Sequence, residues 1–404
     1  MIKKILKSNI FKNISYLTIE ELISRAISFF TVIYLARILW PENFGRLGYA
    51  SAFTSFFVLI VNMGFDVYGI REIAKDRSKA KELLSNITLI KLILFLVAYL
   101  FLFIVINILE KDNDSKNFVL LYGLTMIVSV FTIDWFCQGF ENFKLIALGR
   151  VFRNIVYALF VFAFIKYHNQ LKEVVIFQIL SGLFGNFLLW YFAKDYFSFN
   201  NINLYKWKGY LKTGFILASS FFMINIYYNL DKVMIGLWYS KRYVGWYDVA
   251  YKIMSVGLIF SGILWSVFSP KISRFDKSLN LYIKAMLFLG VILLIILLLG
   301  SNFIIGILFG DNYKEAVFPL KILALNLFLV FVNVAFISPI MLWNEKKYFL
   351  IVSSGGIANV IFNFLLIPKY NIIGASIATV LSEMMVFIFG IRTFLKIYKK
   401  ECMS

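Results

Sequence analysis

The sequence predicts an all-α integral membrane protein of about twelve transmembrane helices, arranged as two six-helix lobes around a central cavity. Three observations predict this fold class: a very apolar composition, twelve apolar segments of membrane-spanning length, and a sequence pattern that recurs after 200 residues. The lobes are predicted as residues 1–200 and 201–404. Their parallel order predicts a pseudo-twofold axis along the membrane normal.

The composition is that of a chain solvated by lipid rather than by water. Of its 404 residues, 61% are hydrophobic and 16% are charged, and the mean hydropathy is +0.81. A soluble domain has about 45–50% apolar and about 25% charged residues. Two cysteines and one histidine exclude a disulfide framework and most histidine-based metal sites, so we expect no metal and no other cofactor.

Twelve segments are long and apolar enough to cross a bilayer, for which a helix needs about 20 residues. They and their short loops leave no room for a catalytic domain outside the membrane, which favours a transporter over an enzyme. The segments lie near residues 13–38, 45–70, 86–109, 117–137, 150–167, 173–193, 213–238, 243–268, 282–308, 316–343, 347–367 and 372–395.

The net charge of +19 is explained by topology. With a cytoplasmic N-terminus, which carries Lys3, Lys4 and Lys7, alternate loops place 27 of the 41 basic residues in the cytoplasm and nine on the opposite side. This asymmetry follows the positive-inside rule and predicts cytoplasmic termini and an even number of spans. Because the charge lies between apolar runs, we expect no nucleic acid partner.

The internal repeat is carried by two stretches that lie 200 residues apart. Ala36–Phe53 reads ARILWPENFGRLGYASAF and Gly236–Ile253 reads GLWYSKRYVGWYDVAYKI, with Gly45 in register with Gly245. Both stretches lie where one span turns into the next. Six spans return the chain to its starting side, so the halves are predicted to be parallel repeats with a cargo cleft between them.

Several motifs resemble signatures of bacterial polysaccharide flippases of the Wzx type, and together they cover nearly the whole chain. Two end the second and fourth spans, one lies in the seventh span and the next turn, and one precedes the last span. They are Gly64–Ala74 (GFDVYGIREIA), Asp134–Glu141 (DWFCQGFE), Asn229–Gly236 (NLDKVMIG) with Val244–Tyr247 (VGWY), and Ile367–Asn371 (IPKYN) with Gly374–Thr379 (GASIAT).

The resemblance implies a fold shared with multidrug and lipid II transporters, and a specific cargo. It implies that undecaprenyl-diphosphate-linked oligosaccharide moves by alternating access from the cytoplasmic to the periplasmic leaflet of the bacterial inner membrane. The product would be O-antigen or another surface polysaccharide. Membrane lipids, a polysaccharide polymerase and a chain-length regulator are the expected partners. Two other functions stay open: a multidrug or organic cation antiporter of the same fold, and a membrane polysaccharide polymerase.

Basic and amide side chains within the spans are candidates for binding the diphosphate. An ionisable residue at membrane depth costs about 2.5–3.5 kcal/mol on insertion scales, so it usually faces a cavity or another charge. Guanidinium and ammonium groups bind phosphate oxygens, which favours a cationic cavity. The alternative is that neighbouring carboxylates neutralise these cations. The candidate substrate-binding residues are Arg25, Lys232, Lys252, Asn225, Asn229 and Lys321.

Carboxylates in the spans are candidates for coupling transport to a proton or sodium gradient, or for pairing helices. These are Glu20, Glu21, Asp231 and Asp248. Glu21 and Asp248 each lie four residues before a basic residue on the same helix face. Charged residues near predicted cytoplasmic helix ends are expected to be gate or interface residues, namely Asp66, Arg71, Asp134 and Glu141. Trp135, Trp190 and Trp265 are candidates either for interfacial belts or for stacking on sugar rings.

Overall fold

The computed structural model describes residues 9–273 and 278–402, in which all regular structure is helical. Lys3, Lys4 and Lys7 of the predicted cytoplasmic N-terminus lie outside these residues. The helices are α1 Asn9–Asn62, α2 Phe65–Lys75, α3 Ala80–Leu109, α4 Asn113–Gly123, α5 Met126–Phe131, α6 Asp134–Gly139, α7 Phe143–Phe164, α8 Leu171–Ala193, α9 Leu204–Trp238, α10 Lys241–Ile272, α11 Ser278–Phe309, α12 Val317–Phe336, α13 Ser338–Trp343 and α14 Glu345–Cys402. Short 3₁₀ turns lie at Arg77–Lys79, Lys194–Tyr196, Phe199–Asn201 and Asp311–Ala316.

Nine helical segments of the described chain are long and apolar enough to cross a membrane. Two of them, Tyr16–Lys75 and Glu345–Lys399, have 60 and 55 residues. At about 1.5 Å per residue each is far longer than one crossing of about 30 Å. Non-helical backbone at Trp40 (φ 60°) and Asn371 (φ 48°) divides each into two. These segments confirm an all-helical, multi-pass membrane protein.

Helix α9 is not one of these nine segments. It has 35 residues, and residues 213–230 between Lys212 and Asp231 carry no charged side chain. The number of twelve spans stays a prediction.

The fourth predicted span, 117–137, is not one helix but three, α4 to α6. Irregular backbone at membrane depth needs partners for its freed polar groups. Helix α8 supplies them: Asn186 donates from Nδ2 to the Val128 carbonyl at 3.2 Å, and Trp190 donates from Nε1 to the Phe131 carbonyl at 2.7 Å. The span contains no proline. Its break is instead stabilised by side chains of a helix that lies more than 50 residues later in the chain.

Contacts divide the chain into two compact units. The first consists of Met1–Trp40 and Ala50–Asn225, and the second of Pro41–Tyr49 and Ile226–Ser404. In the first unit, α7 packs on α8, α2 packs on α6, and α3 packs on α4 and α5. In the second, α12 packs on α10, α11 and α14. The predicted six-helix lobes, 1–200 and 201–404, stay a prediction.

The two glycines of the sequence repeat contact each other within the second unit. A Cβ atom on Gly45 would overlap the Lys241 carbonyl oxygen, and one on Gly245 would overlap the Pro41 carbonyl oxygen. Pro41 and Lys241 are 200 positions apart, as are Gly45 and Gly245. The glycine of each stretch therefore packs against the carbonyl at the corresponding position of the other stretch. The pseudo-twofold relation of the two lobes stays a prediction.

Candidate functional site

Four of the predicted charged residues come together between α9 and α10 in the second unit. The Lys232 ammonium lies 2.7 Å from Oδ1 of Asp248. The Lys252 ammonium pairs with Oδ2 of the same carboxylate. Asp248 is 2% exposed at its side chain, so a single buried carboxylate holds two ammonium groups.

Asp231, next to Lys232 in the chain, has a different set of partners. The Tyr247 hydroxyl donates to its Oδ2, and the Lys232 backbone N–H donates to its Oδ1 at 2.8 Å. Asp231 and Tyr247 are both buried. Tyr247 was not among the predicted site residues, although a tyrosine directly before Asp248 on an apolar helix is a visible signal.

The formal charges of this cluster cancel, because two carboxylates face two lysines. The Lys232 side chain, which is 12% exposed, is thus neutralised by a neighbouring carboxylate. This was the alternative to cargo binding in the sequence prediction. Lys252 is 35% exposed and is the more accessible of the two cations.

Arg25 belongs to the first unit, and Lys321 belongs to the second. Nε of Arg25 donates to Oε1 of Glu21 at 2.5 Å, and both side chains are about half exposed, so the predicted pair forms and keeps an open side. Lys321, on α12, is half-buried, and no ion pair joins it to an acidic side chain of the described chain.

The two candidate asparagines differ in their surroundings. In the first unit, Asn225 accepts a hydrogen bond from the Ser55 hydroxyl at 2.8 Å and donates from Nδ2 to the Ser55 carbonyl at 3.2 Å. This pairing ties α9 to α1. Asn229 is half-buried one turn later on α9. Of the two, Asn225 therefore has a clear role in helix packing.

Glu20 shares a guanidinium with Asp134 in the first unit. Arg150 lies 2.8 Å from Asp134 through Nε and 3.7 Å from Glu20 through Nη1. The Ser24 hydroxyl also donates to Glu20, at 2.8 Å. Because Arg150 was counted only as a loop charge, its partnership with two span carboxylates was missed by sequence reasoning.

The other candidate gate residues have local or paired positions. Asp66 pairs at 3.1 Å with Lys91, whose side chain is 1% exposed. Arg71 pairs with Glu72 at 3.1 Å. Glu141 has φ 61° in the turn between α6 and α7 and is exposed. Lys91 was counted among the loop charges, but it lies in the core of the first unit.

The candidate stacking residue Trp135 is a core residue. It is 2% exposed, and a Cβ atom on Gly69 of α2 would collide with its ring. The suggestion that it stacks on a sugar is therefore wrong. Trp190 donates its hydrogen bond to the Phe131 carbonyl in the broken fourth span. The Trp265 ring centroid lies 6.0 Å from that of Tyr282.

A carboxylate that was not among the predicted site residues, Glu383, lies where three helices of the second unit meet. The Tyr227 hydroxyl of α9 donates to its Oε1. Asn333 of α12 donates from Nδ2 to its Oε2 at 2.6 Å and to its backbone carbonyl at 3.0 Å. The signal was an acidic residue inside the last apolar segment.

This chain is similar to proteins named for polysaccharide biosynthesis and O-antigen transport. A family profile described as "Polysaccharide biosynthesis protein" matches residues 10–276. The "Capsular polysaccharide biosynthesis protein CapF" of Staphylococcus aureus is 22% identical over 93% of this chain and 97% of its own length. A protein of Escherichia coli K12 named "Putative O-antigen transporter" is 23% identical over 94% of this chain and 95% of its own.

Solved structures of transporters have the same all-helical fold. "Lipid II flippase MurJ, inward closed conformation" gives a TM-score of 0.75 with 16% identity, over 96% of this chain and 91% of that one. A multidrug resistance MATE family transporter of the MOP superfamily, inward-facing, gives 0.69 with 14% identity, over 96% and 99%. At this identity the likeness concerns the fold alone.

Proposed function

Because this chain belongs to the polysaccharide biosynthesis protein family, we propose that it is a flippase for a lipid-linked oligosaccharide. Its cargo is an undecaprenyl-diphosphate-linked repeat unit of O-antigen or another surface polysaccharide. Transport runs from the cytoplasmic to the periplasmic leaflet of the bacterial inner membrane. Relatives named for capsular polysaccharide biosynthesis and O-antigen transport, each matching more than nine-tenths of the chain, support this proposal.

The main observation behind the proposed binding site is that Asp248 pairs with two lysines, Lys232 and Lys252. Removing the only cation from a buried carboxylate leaves an uncompensated charge, which is strongly unfavourable. Asp248 has two cations, so the more exposed Lys252 can turn to a diphosphate oxygen while Lys232 still neutralises Asp248. Lys252 is therefore the cation that binds cargo, and Lys232 is the one that keeps Asp248 compensated.

In this proposal, each unit also has a further cation that can contact phosphate oxygens. Arg25 keeps an exposed side beside Glu21, and a guanidinium binds phosphate oxygens bidentately. Lys321 has no acidic partner in the described chain to compete with the cargo. The polyprenyl tail stays in lipid between helices. Alternating access by two rocking lobes moves the headgroup.

The proposed orientation places both termini in the cytoplasm, as the 27-to-9 distribution of basic residues favours. Cargo then leaves on the periplasmic side, where a polymerase and a chain-length regulator would use it. An organic cation antiporter would place carboxylates without cations at its binding site. The lysine on each oxygen of Asp248 argues against such an antiporter there. We propose no catalytic reaction.

The test is flipping of lipid-linked oligosaccharide by the full chain in proteoliposomes. A hydrogen bond to a charged group contributes about 1.5–3 kcal/mol, so Lys252→Met should slow flipping by about 10- to 100-fold, and Lys252→Arg by less. Lys252→Met leaves Lys232 as the one lysine of the cluster for both Asp231 and Asp248, so thermal unfolding is measured beside flipping, and Lys252→Arg, which restores the charge, should keep the wild-type melting temperature. Lys314→Met, on the exposed Asp311 pair, is the matched control. Wild-type flipping by Lys252→Met would contradict the site.

A second measurement separates the cation antiporter from the flippase. The same proteoliposomes are loaded with a fluorescent organic cation, and efflux is followed under a proton gradient. The flippase proposal expects efflux no faster than from empty liposomes. Efflux of the dye together with no movement of the oligosaccharide would replace the flippase with the antiporter.

A further inference from the structure

Glu383 differs in its partners from the candidate coupling and gate carboxylates described above. Glu20, Glu21, Asp66, Asp134 and Asp248 each have a lysine or arginine within 4.0 Å. Asp231 interacts electrostatically with Lys232 beside it. Glu383 has only the neutral donors Tyr227 and Asn333, and no basic side chain of the described chain forms an ion pair with it.

The groups that face Glu383 from the surrounding helices are uncharged. Besides the two hydrogen-bond donors, the phenols that interact electrostatically with it are Tyr228 of α9, Tyr251 of α10 and Tyr348 of α14. None of these can supply a positive charge. Lys252 and Lys232, on the same helices α9 and α10, are occupied by Asp248.

Surroundings without a positive charge favour the protonated, neutral form of a carboxyl group. An isolated ionised group in a medium of low dielectric constant is strongly unfavourable, and the group neutralises by binding a proton instead. Glu383 is half-buried rather than fully enclosed, so a proton can be exchanged with water that reaches it. The geometry is that of a proton-binding site.

We infer that Glu383 takes up and releases one proton in each transport cycle and so couples flipping to a proton gradient. This inference rests on the proposed function and adds the coupling residue to it. The reaction is carboxylate plus proton to carboxylic acid, with no other bond broken. It assigns coupling to a residue other than the four carboxylates predicted from sequence, each of which has a cation close by.

The protonation state of Glu383 bears on the packing of three helices. The ionised carboxylate needs both donors, Tyr227 of α9 and Asn333 of α12, to offset its charge. The neutral carboxyl needs neither and itself carries a hydrogen-bond donor. Proton uptake therefore weakens the hydrogen bonds that Tyr227 and Asn333 donate to this carboxyl, and proton release strengthens them again, while the bond from Asn333 to the Glu383 backbone carbonyl stays.

Infrared difference spectroscopy of the full chain in lipid tests proton binding directly. Between about pH 8 and about pH 5, the wild type should gain the carbonyl band of a protonated carboxyl group in an apolar setting. Glu383→Gln should lack this band, and Glu345→Gln, at an exposed position of the same helix, should keep it. Asn333→Ala keeps Glu383 but removes a donor, so the band should appear at a different pH. A band unchanged in Glu383→Gln would overturn the inference.

Flipping in proteoliposomes with and without a pH gradient tests coupling. The wild type should flip faster with the gradient. Glu383→Gln should flip at one rate under both conditions, since its neutral amide imitates the protonated state. If Glu383→Gln responds to the gradient as the wild type does, Glu383 is not the coupling residue.

The two measurements separate this inference from the proposed function. If the wild type flips no lipid-linked oligosaccharide under any condition, the proposed function fails, whatever the infrared result. If the wild type flips but shows no dependence on the gradient, the function stands and coupling through Glu383 fails.

Discussion

Two groups of carboxylates, one in each unit, have different kinds of partners. In the first, Arg150 joins Glu20 to Asp134, and Lys91 holds Asp66. Except for Glu20, which also accepts from Ser24, no hydroxyl or amide of a side chain takes part in these pairs. In the second, neutral donors serve two carboxylates: Tyr247 serves Asp231, and Tyr227 and Asn333 serve Glu383.

The difference separates charges that hold helices together from charges that can change state. A carboxylate with its own guanidinium or ammonium stays ionised and paired, because breaking a buried pair costs several kcal/mol. A carboxylate held by phenols and amides can exchange a proton at a lower cost. We therefore expect substitutions in the ion pairs of Arg150 and Lys91 to act mainly on stability, and those at Glu383 to act mainly on transport.

The largest expected effect on stability is at Arg150. Arg150→Met leaves both Glu20 and Asp134 without a cation, and we expect a loss of about 2–4 kcal/mol. This is less than the full cost of breaking a buried pair because the arginine is partly exposed. Thermal unfolding of the purified chain in detergent measures it, with Arg150→Lys as the conservative control. A melting temperature unchanged by Arg150→Met would show that the pairing of Arg150 with Glu20 and Asp134 does not stabilise the fold.

A smaller effect is expected at Tyr247. Tyr247→Phe removes the side-chain donor to buried Asp231, which costs about 1.5–3 kcal/mol for a hydrogen bond to a charged group. The control is Tyr243→Phe one turn earlier on α10, where no carboxylate accepts from the hydroxyl among the described residues. The same unfolding assay compares them. Equal melting temperatures for the two variants would show that Asp231 does not depend on this phenol.

The smallest effect is expected at the exposed pair of Lys314 and Asp311, which lie 3.1 Å apart. Exposed ion pairs contribute little to stability, since water screens them in the folded chain. Lys314→Ala should therefore leave the melting temperature unchanged within error. A clear decrease would mean that exposed pairs also stabilise this protein, and the comparison between buried pairs and exposed ones would lose its basis.

Much of the fold could be predicted because hydropathy and length are local properties of the chain. The apolar segments predicted a helical, multi-pass membrane protein, and the i, i+4 spacing predicted the pairs of Glu21 with Arg25 and of Asp248 with Lys252. The break of the fourth span was missed. Two donors that stabilise the break, Asn186 and Trp190, lie on α8 rather than within the span.

The rest of the site depends on helices far apart in the chain. Glu383 lies 156 residues from Tyr227 and 50 from Asn333. Arg150 lies 16 residues from Asp134, across the turn from α6 to α7. Periodicity along one helix cannot identify such partners, since they are fixed by how helices pack. What the sequence does show is an acidic residue in an apolar segment, which is enough to suggest a function but not a partner.

The contact between Gly45 and Gly245 has a consequence for how the chain is made. Residues 41–49 belong by their contacts to the second unit, yet they are synthesised 200 residues before Gly245. At about 5–20 residues per second, roughly 10–40 s pass before their partner leaves the ribosome. During that time this turn is already in the membrane without its packing partner. The second unit therefore closes late in synthesis, on a segment inserted at the start.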